Sequence, residues 1–213
     1  MIFIGCDPDT QRTAWAAVAD YHLSGLPRVL SVGLTKSDKG LKGRDAVKSM
    51  ILRMCGPCEA RPLDTGVPQA VRIAVEAQEI AYSAGQGVSP RSVAMLGPIS
   101  GAAIACACRW WDVEAVEYPS PQAWKGSVPK AIHHARIAGK IGMAYKLHGG
   151  ERGYAGPNGP DAWRSGNVPA GVQFLNNSDW KHVMDAIGLA LWCKEEYNRN
   201  QNRDALLQSR RTA

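Results

Sequence analysis

The sequence predicts an α/β protein built on a mixed five-stranded sheet with helices on both faces. Two observations lead to this prediction. The first three strand patterns are joined by short turns, as in an antiparallel meander, and the later strands alternate with long helical patterns, as in a parallel arrangement. A length of 213 residues and a hydrophobic content of 45% fit one globular domain with a full core.

The elements follow in chain order from the local patterns. Short apolar runs bounded by turn residues predict strands at residues 2–6, 13–19, 28–34, 71–75 and 113–118. A tight turn that contains Pro8 joins the first two strands, and a turn with Gly and Pro at residues 24–27 precedes the third. Apolar residues at helical spacing predict helices at residues 42–54, 89–110, 129–147 and 178–199.

One stretch, residues 148–172, breaks this alternation. It is rich in Gly and Pro, contains aromatic and basic side chains, and has no periodicity. Loops of this length are functional or disordered, and we expect this one to be disordered in the free protein and to become ordered on a partner. The polar and basic residues 198–213 are expected to form a frayed tail, which leaves residues 1–197 as a single domain.

The charge of the chain favours a polyanionic partner. The formal net charge is +6 and the isoelectric point is about 9.1. No apolar run approaches the roughly 18 residues that a membrane-spanning helix needs, and the first residues lack a basic leader. We therefore expect a cytoplasmic protein without membrane contact.

Cys55 and Cys58 form a Cys-Gly-Pro-Cys sequence that matches a thiol redox motif. That chemistry needs the first cysteine at a helix N-terminus, where the dipole lowers the thiol pKa. Here the motif follows the predicted helix at residues 42–54, and no second cysteine pair completes a zinc site. Structural thiols in a reducing compartment are therefore favoured over a redox or zinc role.

Three acids stand at positions where burial of a carboxylate is costly unless a positive group pairs with it. Asp7 and Glu76 end the first and fourth predicted strands, and side-by-side parallel strands would bring both to one edge of the sheet. Asp185 interrupts an apolar helical run, and His182 lies three residues earlier on the same helical face. Carboxylate oxygens suit Mg²⁺, and two such ions about 4 Å apart can clamp a phosphodiester.

Four segments carry these residues. They read Ile-Gly-Cys-Asp-Pro at residues 4–8, Ala-Val-Glu at 74–76, Val-Glu-Tyr-Pro-Ser-Pro-Gln-Ala-Trp-Lys at 116–125, and His-Val-Met-Asp-Ala-Ile-Gly-Leu-Ala at 182–190. In order and spacing they resemble the RuvC-like Holliday junction resolvases. The resemblance implies a ribonuclease H-like fold, a symmetric homodimer, and cleavage of four-way DNA junctions by paired symmetric nicks that leave 5′-phosphates. It also implies two Mg²⁺ ions, with Mn²⁺ as a substitute.

The same resemblance assigns roles to individual residues. Asp7, Glu76 and Asp185 fall on the catalytic acids of the family, and His182 falls where members have Asp or His, so that it either binds metal or relays a proton. The resemblance makes these four residues the predicted metal ligands. Lys125 falls on a lysine that lies near the scissile phosphate in the family.

Three further residues are candidates for DNA contact. Lys130 begins a predicted helix and could bind phosphate, although both it and Lys125 could equally be solvated lysines beside helices. Arg91 follows a Gly-rich loop at a helix N-terminus, a suitable place for a phosphate. Tyr82 is the aromatic nearest to the position where members insert a ring at the junction centre, a position held here by Glu79.

Two departures from the family pattern bear on these predictions. Asp9 stands where members have Gly, and either adds a carboxylate to the site or shapes the turn. The long Gly/Pro insertion favours a phage or divergent version of the family.

Other functions compete with junction cleavage. A nuclease of the same fold could act on another branched DNA or on an RNA/DNA hybrid. A catalytically idle DNA-binding relative is a further alternative, against which the presence of all four site residues argues. A phosphate-binding module like the actin and sugar-kinase group needs two copies of the domain, and this chain has the length of one.

Overall fold

The computed structural model describes residues 1–19, 26–55, 70–77, 90–143, 168–176 and 178–212. Their strands are β1 (Ile2–Asp7), β2 (Arg12–Ala19), β3 (Arg28–Lys36), β4 (Ala70–Val75) and β5 (Asp112–Glu117). Their α-helices are α1 (Gly43–Cys55), α2 (Pro90–Trp110), α3 (Pro121–Lys125), α4 (Lys130–Lys140) and α5 (Trp180–Thr212). The short helix α3 was not predicted from the sequence, and the four longer helices were.

The strands form one mixed sheet in the order β3-β2-β1-β4-β5. Strand β1 pairs antiparallel with β2, which pairs antiparallel with β3, while β1, β4 and β5 run parallel. This confirms the predicted meander followed by parallel strands. Because β1 and β4 are parallel neighbours, Asp7 and Glu76 leave the sheet at the same edge, where the Glu76 amide still donates to the Cys6 carbonyl at 3.1 Å.

Strand β1 is buried along its whole length, and its side chains alternate between two cores. Phe3 packs into the core formed with α4 and α5, whereas Ile2, Ile4 and Cys6 pack into the core formed with α2. Helix α1 lies in the same layer as α2, joined to it by Val47, Met50, Leu96 and Ile99. The predicted helices on both faces of the sheet are therefore confirmed.

Helix α5 lies directly on β1 because Gly5 has no side chain. A Cβ atom at Gly5 would stand 1.9 Å from the carbonyl oxygen of Ala186 and 2.6 Å from the amide nitrogen of Ala190, both on α5. The three small residues bring the two backbones into contact. The separation between Asp7 on β1 and Asp185 on α5 is fixed by this contact.

Two helix ends differ from the sequence prediction. Helix α4 ends at Lys140 rather than near residue 147, since Gly142 has a positive φ of 67° and turns the chain away; residues 144–147 lie outside the described part. The expected frayed tail is wrong, because α5 continues to Thr212 with residues 198–210 exposed. Arg, Gln, Ala and Leu in this segment are strong helix formers and support a helix without tertiary packing.

The described end of the Gly/Pro-rich stretch is ordered, contrary to the expectation for residues 148–172. Ala170 forms a parallel bridge with Ser31, donating to the Leu30 carbonyl at 3.1 Å and accepting from the Val32 amide at 2.9 Å. A 3₁₀ helix, Val172–Phe174, follows. These hydrogen bonds pair part of the exposed edge of β3, which orders the segment. The remainder of the stretch lies outside the described residues.

The cysteine motif is described only at its first residue. Cys55 ends α1, as predicted, and Cys58 lies outside the described residues. Within the described ranges, no helix combines the length and the apolarity that crossing a bilayer requires.

Candidate active site

Four side chains predicted as metal ligands line one open cleft of about 390 Å³ at the C-terminal edge of β1 and β4. They are Asp7, Glu76, His182 and Asp185. Both predicted lysines line the same cleft, and Pro8, Asp9, Thr10, Met95 and Leu96 complete its wall. Two strands and the last helix, which are far apart in sequence, therefore bring the four predicted metal ligands together in one cleft.

Asp7 lines this cleft and is only 9% exposed. Its Oδ2 atom lies 3.2 Å from Nδ1 of His182, in the first turn of α5. Burial raises the pKa of Asp7 above its ordinary value, and the negative charge of Asp185 raises it further, while the hydrogen bond with His182 acts in the opposite direction. The site thus holds Asp7 in a state that favours a proton or a cation.

Glu76 is held by two donors from α3. The indole Nε1 of Trp124 donates to Oε2 of Glu76 at 3.0 Å, and the Lys125 ammonium donates to the same oxygen at 3.3 Å. Burial raises the pKa of Glu76, the Lys125 charge opposes this, and the charge of Asp7 adds to the rise. Helix α3 begins with a Ser120 side-chain cap and Pro121, which fixes the position of both donors.

Asp185 is held in the same way by α4. Nε2 of His134 lies 2.7 Å from Oδ1, and the Lys130 ammonium is hydrogen-bonded to Oδ2. Burial alone would raise the pKa of Asp185, but the His134 hydrogen bond and the Lys130 charge outweigh it, and the pKa is lowered. Asp185 is therefore ionised at neutral pH.

The N-terminus of α5, which carries His182, is tied to the sheet by Asp179. This side chain is fully buried; its Oδ2 accepts from Lys36 of β3 at 2.7 Å, and its Oδ1 lies 3.5 Å from the guanidinium of Arg12 on β2. It also accepts from the Asn176 amide at 3.1 Å. The start of α5 is thereby fixed against the same sheet edge that carries Asp7.

Asp9, which replaces the glycine of the family pattern, shapes the turn between β1 and β2. Its Oδ1 accepts from the Gln11 amide at 2.8 Å, and its carbonyl accepts from the Thr13 hydroxyl at 3.0 Å. The residue also lines the cleft. Both roles considered for Asp9 are thus compatible with its position.

The donor chemistry of the cleft fits a hard divalent cation. Three carboxylates and an imidazole face one volume, and burial raises the pKa of both Asp7 and Glu76 above their ordinary values. Among the described residues, no three His, Cys, Asp or Glu side chains have the spacing of a ready-made metal site. Each of the three acids is hydrogen-bonded to a lysine or a histidine.

The other predicted DNA-contacting residues are only partly described. Lys125 and Lys130 are hydrogen-bonded to site acids rather than solvated on their own. Arg91 lies in the first turn of α2, as predicted, with its side chain outside the described part, and Tyr82 lies outside it altogether.

Sequence reasoning missed Trp124 and His134. His134 follows Lys130 by four residues, so the helical spacing that places them on one face could have identified it. Trp124 precedes Lys125 directly, but nothing in the pattern of the chain indicates that its indole reaches Glu76.

No protein-family model matches the sequence, and no curated protein matches it. Among solved structures, RuvC of Thermus thermophilus in complex with a Holliday junction substrate superimposes with a TM-score of 0.51 at 17% identity, over 90% of this chain and 92% of that one. A second T. thermophilus RuvC structure gives 0.48 at 18% identity, with 90% and 92% covered. The fowlpox virus Holliday junction resolvase gives 0.40 at 13% identity, with 92% and 99% covered.

The first of these matches covers nearly all of both chains, so the likeness in fold is not confined to one part of the chain. It agrees with the strand order and with the helices on both faces described above. The chain therefore has the ribonuclease H-like fold of RuvC, as the resemblance of its sequence segments predicted.

Proposed function

We propose that this protein is a Mg²⁺-dependent endonuclease that resolves four-way DNA junctions. The observation that carries the proposal is the convergence of Asp7, Glu76, His182 and Asp185 on one cleft that two lysines also line. The RuvC-like fold supports it, since the structure with a TM-score of 0.51 is RuvC in complex with a Holliday junction substrate. The net charge of +6 suits a DNA partner.

The acids and His182 would hold the metal. Two divalent cations bound there would supply Lewis-acid stabilisation of the charge that develops on the phosphodiester. Asp7 would contribute a buried carboxylate, whose charge a bound cation would neutralise. His182, 3.2 Å from Asp7, either joins this ligand set or transfers a proton between the cleft and the leaving 3′ oxygen.

The lysines have a second task in this proposal. In the metal-free protein, Lys125 and Lys130 neutralise Glu76 and Asp185. When the acids are compensated by cations, both ammonium groups become available to a phosphate oxygen in the same cleft. Their side chains are 28% and 47% exposed, which leaves room for this reorientation.

Paired nicks at symmetric positions require two cleavage sites. We propose a homodimer, because a two-fold protein matches a junction with two-fold symmetry. Each subunit would contribute one cleft, and water attack on the phosphorus with departure of the 3′ oxygen would leave a 5′-phosphate and a 3′-hydroxyl.

The test is a cleavage assay with labelled strands resolved at nucleotide level. Wild-type protein is compared on a four-way junction, a linear duplex and an RNA/DNA hybrid of the same sequence, with and without Mg²⁺. We expect symmetric nicks in the junction only, dependent on Mg²⁺ and lost in Asp7→Asn, which still binds the junction. Preferred cleavage of the hybrid would replace junction resolution with a ribonuclease H activity, and full activity of Asp7→Asn would remove this cleft from the mechanism.

A further inference from the structure

One segment of the chain supplies the donors that hold both Glu76 and Asp185. Helix α3 provides Trp124 and Lys125, and helix α4 provides Lys130 and His134; each acid therefore accepts from one lysine and one ring N–H. The two kinds of donor differ in burial. Trp124 is 8% exposed and His134 is fully buried, whereas both lysines reach solvent.

The buried rings of Trp124 and His134 act only as hydrogen-bond donors to their acids. The Trp124 indole has one N–H and can only donate. The ionised Asp185 carboxylate can only accept, so Nε2 of His134 carries the proton in the 2.7 Å contact. Each carboxylate offers about four lone-pair sites, which leaves it capable of binding a cation while the ring donor stays in place.

Packing prevents the rings from turning away. A Cβ atom at Gly188 of α5 would stand 2.6 Å from the Trp124 ring, so the indole lies flush against this helix. His133 meets the same ring edge-on, with centroids 5.0 Å apart. His134 of α4 is fully buried and contacts Asp185 of α5. A lysine can leave its acid for solvent or phosphate, but these two rings cannot.

We propose that Trp124 and His134 are positioning residues that orient Glu76 and Asp185 for metal binding, while Lys125 and Lys130 are the exchangeable partners of the same acids. The inference rests on the proposed function in that it assigns roles toward the metal of the same site. Groups that hydrogen-bond to metal ligands typically contribute roughly 10- to 100-fold in metal affinity or activity, which sets the size of the expected effect.

The experiment measures binding of Mn²⁺ alone to the full-length protein by electron paramagnetic resonance. Trp124→Phe keeps an aromatic ring at this position and removes the N–H. His134→Leu removes the second donor, and His134→Gln restores an N–H donor of similar reach. Trp192→Phe, a ring on α5 that packs against the core, is the matched control. We expect about 10-fold weaker Mn²⁺ binding in Trp124→Phe and His134→Leu, recovery in His134→Gln, and no change in Trp192→Phe.

Junction affinity without divalent metal and the melting temperature are measured on the same samples. Wild-type Mn²⁺ affinity in Trp124→Phe and His134→Leu overturns the proposal, as does a loss in Trp192→Phe equal to that in Trp124→Phe. If His134→Leu does not fold, Trp124→Phe and His134→Gln still decide between these results. Weakened Mn²⁺ binding in a protein that cleaves no branched DNA would uphold the positioning role and reject the proposed function, so the two failures are distinguishable.

Discussion

A glycine outside the cleft provides the sharpest test of how the fold builds the site. In Gly5→Ala, the new Cβ would stand 1.9 Å from the Ala186 carbonyl oxygen, where ordinary contacts begin at 3.4 Å. Helix α5 must therefore move by about 1.5 Å, the difference between these two distances. The two nearest atoms belong to the backbone and the third is the Cβ of Leu189 at 2.9 Å, so rotation of a side chain cannot relieve the clash.

Two effects of known size follow from that displacement. Overpacking of this kind costs about 1–3 kcal/mol of unfolding free energy, and in a chain of this length each kcal/mol lowers the melting temperature by roughly 2–4 °C. The same movement separates Asp185 from Asp7, and a misplacement of about 1 Å can reduce a rate roughly 100-fold. We expect the loss of cleavage rate to exceed what the fraction of unfolded protein explains.

The assay combines thermal melting with single-turnover junction cleavage at saturating Mg²⁺, well below the melting temperature. Gly101→Ala on α2 is the matched control, because within the described residues no atom outside its own stretch of helix lies within 4 Å of its Cβ position, and alanine favours a helix. Wild-type melting and cleavage in Gly5→Ala would show that the β1–α5 contact does not set the spacing of the acids.

Three further predictions concern charge. Metal binding requires ionised carboxylates, so Mn²⁺ affinity should rise with pH through a range above the ordinary pKa values of 3.8 for Asp7 and 4.5 for Glu76, as titration calorimetry would show. In the metal-free protein, the raised pKa values of Asp7 and Glu76 contribute stability that is present at low pH and is lost as pH rises through these values. Each tenfold gain in proton affinity on folding contributes about 1.4 kcal/mol. Asp7→Asn should flatten this decline of stability in melting curves recorded at a series of pH values, and an unchanged slope would contradict the prediction. Asp179→Asn removes the negative charge that Lys36 and Arg12 share. It should lower the free energy of unfolding in urea by about 1.5 kcal/mol, a modest value because both cations are partly exposed. An unaltered urea midpoint would show that these two ion pairs do not hold α5.

Much of the fold was available from local patterns. Strand β1 reads as a continuous apolar run that ends in an acid, and the short turn after it dictates an antiparallel neighbour. The alternation of strands and helices predicted parallel strands after the meander. That β1 and β4 are neighbours was a condition of the site prediction, and the structure meets it. These signals are strong because burial on both faces and turn chemistry act over a few residues.

The elements that were predicted wrongly depend on contacts between distant segments or on helix propensity without burial. The extension of α5 beyond Arg199 has no apolar stripe, and its helix-forming composition alone supports it. The bridge between Ala170 and Ser31 is a backbone contact between distant segments, and the side-chain pattern of the sequence does not predict it.

The sequence predicted the acids that the structure brings together in the cleft, but it did not predict the residues that hold them. Asp7, Glu76 and Asp185 were conspicuous because each places a charge where the pattern favours an apolar or neutral residue. Trp124 and His134 were not conspicuous, since an aromatic or a histidine in a helix is ordinary and its hydrogen bond exists only after the fold brings α3 and α4 against the sheet edge.

Whether the three acids share bound cations over a DNA backbone can be seen by anomalous diffraction from crystals grown with Mn²⁺ and junction DNA that carries an uncleavable linkage. We predict Mn²⁺ density in the cleft, with Asp7 shared as a ligand and Glu76 and Asp185 completing the set. Density elsewhere on the protein, or an ion bound by a single one of the three acids, would contradict a shared metal centre.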